Sequence, residues 1–230
     1  MSSRRSATWM MVIALLVLAL GWQSSSVQAQ IITVGFEVIS THLSAENIAT
    51  GEEQLWLDVI HHSGDSYATF KFYNVGLLPC SITDIYIDDD QLSSLDSLLY
   101  IIDSDDPVGG PYGHPDVDFS IGAAPGQLPD KQLADPPFVA TRQFNMDADP
   151  PPYSRGINPG EWLGAVYSIG ADKTVFDIEQ EILAGELRFG YHVQGFGDGD
   201  SASFINTPEP ASILLLGLGT LALLRKRRFC

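Results

Sequence analysis

The sequence predicts an all-β domain held between two targeting segments. The domain is read as an antiparallel β-sandwich, jelly-roll-like, with one short helix; a partly closed barrel is the competing layout. Three observations carry this. Short runs of alternating apolar and polar residues recur through the middle of the chain. Connections rich in Pro, Gly and Asp separate them. An apolar stretch with basic flanking residues stands at each end.

The strands come first. Leu55, Leu57 and Val59 alternate with Trp56, Asp58 and Ile60, and residues 61–65 (HHSGD) supply a hairpin turn. After it, Ala68, Phe70 and Phe72 face one way, and Tyr67, Thr69, Lys71 and Tyr73 the other. From Ser81 to Asp88, Thr83, Ile85 and Ile87 oppose Ile82, Asp84, Tyr86 and Asp88. Phe138 to Met146 alternates again, interrupted by Arg142. Leu163, Ala165, Tyr167 and Ile169 share a face, as do Leu187, Phe189, Tyr191 and Val193. Ser201 to Thr207 reads as a final short strand.

One segment reads as a helix. In residues 174–184 (TVFDIEQEILA), Val175, Ile178 and Ile182 recur at helical spacing and Gly185 ends the run. Short helical turns are expected around residues 43–50 and 91–99. The long connections are residues 103–115 and 123–137. No internal repeat is visible.

The ends carry addresses. Arg4 and Arg5 precede an apolar run from Trp9 to Leu20, and Val27-Gln28-Ala29 places small residues where signal peptidase cuts, before Gln30. At the other end Pro208-Glu209-Pro210 precedes an apolar run, Ala211 to Leu224, closed by Arg225, Lys226, Arg227 and Arg228. Prolines stop a helix from extending back into the domain. The basic cluster stays on the cytoplasmic side. The apolar run has 14 residues, short against the roughly 20 that span a bilayer comfortably. That suits a transient membrane anchor. The predicted organisation is residues 1–29 signal peptide, 30–206 exported domain, and 207–230 sorting signal with its transmembrane helix.

This tail, Pro208-Glu209-Pro210 with the apolar run and basic stop, resembles the PEP-CTERM sorting signal of Gram-negative bacteria. The resemblance implies an exosortase that recognises the triplet, cuts near it and removes the helix. It also implies an inner-membrane intermediate, then a cell-surface or extracellular destination, with extracellular polysaccharide nearby. Residues 81–88 (SITDIYID), Asn158-Pro159-Gly160-Glu161 and residues 187–196 (LRFGYHVQGF) resemble a recurring exported domain of such proteins, one with no assigned activity.

Charge narrows the partners. Between Gln30 and Thr207 lie six basic and 28 acidic residues, leaving −22. That excludes a nucleic-acid partner, whose phosphates need neutralising. It suits solubility outside the cell, or divalent cations held by carboxylates.

Candidate chemistry is sparse. Asp103, Asp105 and Asp106, and Asp198 with Asp200, are the preferred calcium-binding carboxylates, set in Asp/Gly loops; solvated loop carboxylates in Asx turns are the competing reading. Asp88 to Asp90, Asp116 with Asp118 and Asp147 with Asp149 are similar clusters. None forms an EF-hand loop, and neither HExxH nor GxSxG occurs. His192 shares the outward face of its strand with Arg188 and Gln194, either as a polar binding strip or as an ordinary cross-strand hydrogen-bonding face. Glu161 could pair with a nearby aspartate as glycosidases require. Trp56, Tyr67, Tyr73 and Trp162 could stack on sugar rings or cover the core. Cys80, beside Leu77-Leu78-Pro79, reads as a buried small residue.

No catalytic residue is assigned. The expectation is a non-enzymatic exported surface or matrix protein. A carbohydrate-binding module with structural calcium is the alternative, and a secreted hydrolase the second. The hydrolase requires convergent carboxylates or a histidine site in a pocket.

Overall fold

In a computed structural model of the chain, the described residues are 29–62, 66–89, 94–103 and 116–206. All but Ala29 of the expected signal peptide, and the whole tail from Thr207 onward, lie outside them. Among the described residues, no helix is long and apolar enough to cross a membrane.

Ten strands form one continuous antiparallel sheet. They are β1 (Ala29–Val38), β2 (Leu55–His62), β3 (Tyr67–Asn74), β4 (Ser81–Asp88), β5 (Leu95–Ile102), β6 (Phe119–Ile121), β7 (Met146–Ala148), β8 (Trp162–Ile169), β9 (Arg188–Gln194) and β10 (Ser201–Asn206). Their order is β5-β8-β3-β2-β1-β10-β9-β4-β7-β6. The join is β1, whose Ala29–Gly35 stretch pairs with β2 while Phe36 to Val38 pair with β10. The sheet therefore turns at β1 and faces itself across one core. Phe36 stacks on Tyr191 at 3.9 Å between ring centroids, and Phe70 meets Phe189 at 5.4 Å. The result is sandwich-like and nearly closed, between the two layouts expected from sequence.

The alternation expected for β2, β3, β8 and β9 holds. Leu57, Val59, Phe70, Phe72, Leu163, Ala165, Phe189, Tyr191 and Val193 are all buried in this core. Tyr167 and Tyr191, fully buried, each donate their hydroxyl to a backbone carbonyl, of Phe144 (3.0 Å) and Trp56 (3.2 Å). Desolvation of the phenolate pushes both hydroxyls well above the ordinary tyrosine range.

β4 corrects one expected face. Its register against β9 shifts between Ile82 and Asp84, leaving Thr83 as an extra residue. Ile82 therefore joins Ile85 and Ile87 in the core instead of sharing the outer face with Asp84, Tyr86 and Asp88.

Helices are more numerous than the single one expected: α1 (Ala45–Gln54), the short turn α2 (Pro152–Arg155) and α3 (Val175–Ala184). The expected helix is α3, with Thr174 and Asp177 forming a capping box and Gly185 closing it at φ 71°. α1 buries Asn47, Thr50, Gly51 and Gln54, a stripe of polar and small residues, and runs longer than the turn expected there. Gly51 allows the approach, since a Cβ there would stand 2.2 Å from Phe204. The helical turn expected around residues 91–99 is instead strand β5 from Leu95 on. His61 and His62 extend β2 rather than forming a turn. Phe138 to Met146 is not a strand: it runs extended, passes through a 3-10 turn at Arg142–Phe144, and pairs only from Met146. Thr141 donates its N–H to Ile87 at 2.7 Å there.

That segment helps form a second, smaller core. Leu128, Ala134, Phe138 and Ala140 cover Tyr86 on the outer face of the β4–β9 half of the sheet. Gly190 is the close-approach position, because a Cβ there would meet Leu128 at 2.8 Å. Arg188 fastens the cover, donating to the carbonyls of Pro136 (2.6 Å) and Pro137 (2.8 Å) and pairing with Asp88. Cys80 is buried as expected, with its thiol pushed up by desolvation; Gln54 and Asn74 donate to it at 3.4 and 3.5 Å.

Candidate functional site

Two outward faces of the sheet carry chemistry. The first lies on the half that the loop cover leaves partly open. Strand pairing places Ser120 of β6 opposite Asp147 of β7, Asp147 opposite Asp84 of β4, Asp84 opposite His192 of β9, and His192 opposite Ser203 of β10. Five strands thus contribute one polar row, since residues opposite each other in register share a face.

Asp84 is the centre of the row and is 3 % exposed. Its carboxylate accepts from Thr83 Oγ1 (2.8 Å) and Tyr86 Oη (3.3 Å), and Oδ2 lies 3.0 Å from His192 Nδ1. The Tyr86 hydroxyl also lies 2.9 Å from the Pro125 carbonyl, so its one proton is shared between that oxygen and Asp84. Burial and the neighbouring Asp84 push the Tyr86 hydroxyl far above its usual range. Asp147, half-buried, meets Asp84 on its other side. Desolvation first, then the charge and hydrogen bond of Asp84, push the Asp147 carboxyl up to about 6. The Ala124 backbone N–H acts in the opposite direction. Two carboxyls in this contact favour holding one proton between them. With Nδ1–H of His192 facing Asp84, its Nε2 carries a lone pair and has no partner among the described residues.

A cavity of about 440 Å³ opens along this row. Asp147, Asp149, His192, Gln194, Pro125 and Pro150 are among its walls. Asp149 accepts from Ser120 Oγ at 2.8 Å. The convergent groups that a hydrolase requires are present here in outline. Sequence pointed to His192 and Gln194 on one strand and to Asp147 with Asp149, but not to Asp84 as their common partner. Arg188 belongs to the loop clamp instead.

The second face lies across the fold, on β2, β3 and β8. Trp56 pairs with Tyr73, and Tyr73 with Trp162. The three half-exposed aromatics therefore form a row about 10 Å long at the usual strand spacing. Lys71 Nζ sits 3.8 Å from the Trp162 ring centroid and 4.9 Å from that of Tyr73. The Trp56 indole donates to the Glu53 carbonyl at 3.0 Å, and its ring lies over Gly35, where a Cβ would be 3.5 Å away. Asp58 accepts from Thr33 Oγ1 at 2.7 Å. Burial, with the charge and hydrogen bond of Asp58, pushes the Tyr73 hydroxyl up to about 12. Tyr67, 40 % exposed, extends the same face of β3.

Of the remaining sequence candidates, Asp198, Asp103 and Glu161 have structural partners. Asp198 accepts from Asn47 Nδ2 at 2.9 and 2.8 Å and from the Asp200 N–H at 3.1 Å. The Asp200 N–H, then Asn47, hold its carboxyl below the usual range. This turn ties residues 197–200 to α1. Asp103 accepts from the Phe119 N–H at 2.9 Å; Asp105 and Asp106 lie outside the described residues. Among the described residues, no group of three or more His, Cys, Asp or Glu is arranged to hold a metal ion. Glu161 closes its own loop, accepting from the Asn158 N–H at 2.7 Å.

An exported acidic β-domain ending where a sorting tail begins defines the class of protein. Comparison with protein families then identifies that tail: residues 206–228 match the PEP-CTERM protein-sorting motif. The chain therefore carries a PEP-CTERM sorting motif, and the motif implies exosortase-dependent export in Gram-negative bacteria. The match contains Pro208, Glu209, Pro210 and the basic cluster Arg225 to Arg228, all outside the described residues. No curated protein and no solved structure matches the chain.

Proposed function

We propose that the chain is a non-enzymatic surface or matrix protein that associates with extracellular polysaccharide. In this reading signal peptidase removes residues 1–29, the tail pauses in the inner membrane, and exosortase releases the domain to the cell surface. The observation that supports polysaccharide association is the Trp56–Tyr73–Trp162 row. Flat, half-exposed rings, of which Trp56 is fixed by the Glu53 carbonyl, offer stacking surfaces along a chain of sugar rings, and Asp58 and Thr33 beside them offer hydroxyl partners.

Retention of residues 30–206 on polysaccharide purified from the producing cell tests this, with and without EDTA. Trp56→Ala and Trp162→Ala should each release the protein. Equal retention of the double variant would sink the reading. Sorting is tested separately: Pro208→Ala with Pro210→Ala should leave full-length protein in the inner membrane.

A second reading, a secreted hydrolase, is favoured by Asp147, Asp84 and His192 converging on a cavity. It requires turnover of some polysaccharide that Asp147→Asn abolishes.

A further inference from the structure

We propose that the cavity beside β4, β7 and β9 is a second binding site, separate from the aromatic face, and that it takes one neutral sugar unit. The argument is an inventory of what the walls can exchange. His192 Nε2 and the Gln194 side-chain amide have no partner among the described residues, so both are available to a ligand. His192 offers an acceptor, and the Gln194 amide both donates and accepts. Asp147 carries a carboxyl pushed up to about 6, so at pH 7 it is mostly ionised and accepts. Asp149 has one oxygen engaged by Ser120, and its carboxylate accepts. Interspersed donors and acceptors of this kind match hydroxyl groups, which do both. Pro125 and Pro150 supply apolar patches between them, suited to the C–H face of a ring.

Size and charge narrow the choice. The volume of about 440 Å³ lies within the range of small-molecule sites. Three carboxyls and neither Lys nor Arg line the cavity. An anionic sugar such as a uronate meets uncompensated repulsion there. The His192 ring is also held in place. Asp84 fixes the His192 ring through Nδ1, and Thr83 and Tyr86 fix Asp84. A bound sugar therefore orders few groups, which lowers the entropic cost of binding.

This inference takes its sugar chemistry from the polysaccharide reading but uses different residues, so the two fail separately. Residues 30–206, which complete both cores, are titrated calorimetrically with glucose, galactose, mannose, N-acetylglucosamine and glucuronate at pH 7. At least one neutral sugar should bind, and glucuronate should bind at least tenfold more weakly. Gln194→Ala and His192→Ala should each weaken that sugar roughly fivefold, the usual scale for one neutral hydrogen bond. Trp162→Ala should leave it unchanged while reducing retention on polymer. Binding by none of the neutral sugars, or binding indifferent to both cavity variants, would overturn the site. So would binding that Trp162→Ala abolishes, or turnover of the bound sugar. Circular dichroism of each variant confirms that it folds.

Discussion

Asp147→Asn should stabilise the domain at neutral pH, and the size of the effect follows from the carboxyl pair. In the folded chain Asp147 titrates near 6 against an ordinary 3.8. A raised acid means that the folded state holds its proton more tightly than the unfolded state. Stability is therefore greatest below the unfolded value and falls as pH rises through about 6. Two units correspond to about 3 kcal/mol at most. Asp147 is only half-buried, so solvent screening reduces this to about 1 kcal/mol. Asparagine copies the protonated acid: its carbonyl can accept from the Ala124 N–H, and its amide can donate to Asp84.

The assay is urea unfolding of both proteins, followed by fluorescence of Trp56 and Trp162. Subtracting one protein from the other cancels the domain's other carboxylates. The variant should be more stable by about 1 kcal/mol at pH 7.5 and indistinguishable at about pH 3, below the unfolded value, because only the ionised acid suffers burial and the charge of Asp84. A difference that does not change with pH would show that Asp147 acts by packing. A variant less stable at pH 7.5 would show that the Asp147 charge is compensated, and the reasoning would fail.

Two further substitutions test the packing. Gln54→Ala should cost about 1 to 3 kcal/mol, since it removes the donor to the buried Asn74 Oδ1 and the acceptor of the Leu78 N–H, now held at 3.2 and 2.8 Å; chemical denaturation measures it, and a loss under 0.5 kcal/mol would contradict the hydrogen-bond account. Gly190→Ala should cost about 1 to 3 kcal/mol by pushing Leu128 and Phe138 off the outer face, and the loosened cover should show as faster amide exchange at Val139 and Ala140, whose N–H groups bond Asp88 and Gln127.

Strand faces with a strict period of two were legible in the sequence, because burial on one side enforces that period. β2, β3, β8 and β9 show it. α3 was legible through Val175, Ile178 and Ile182 at helical spacing and through Gly185, which closes it. α1 was legible only as a short turn, because its buried stripe is Asn47, Thr50, Gly51 and Gln54, and hydrophobic spacing cannot register a polar stripe. The Asp147–Asp84–His192 row was hidden for a different reason. Its members lie on three strands, and only register brings them together. The extra residue Thr83 sets which side of β4 turns outward at the strand's start. The Trp56–Tyr73–Trp162 row was half visible: sequence supplied the aromatics, and pairing supplied their alignment.

The junction between domain and tail carries its own prediction. Asn206, the last residue of β10, is 2 % exposed, and its Oδ1 accepts from the Phe189 N–H at 2.6 Å. The sorting match begins at that same residue. Pro208 follows two positions later, a reach of at most about 7 Å. A membrane enzyme that engages the triplet therefore works against the folded domain, or after Asn206 has come loose. Loosening it forfeits one buried hydrogen bond, about 1 to 3 kcal/mol, so engagement is slowed roughly fivefold or more. Six Gly/Ser residues inserted between Asn206 and Thr207 add a span of about 13 Å and remove that cost without touching the triplet. Pulse-chase labelling in the producing cell should show the inserted chain losing its tail several times faster than the natural one. Unchanged or slower processing would mean that exosortase takes the triplet before β10 closes, and that the fold has no part in the timing of release.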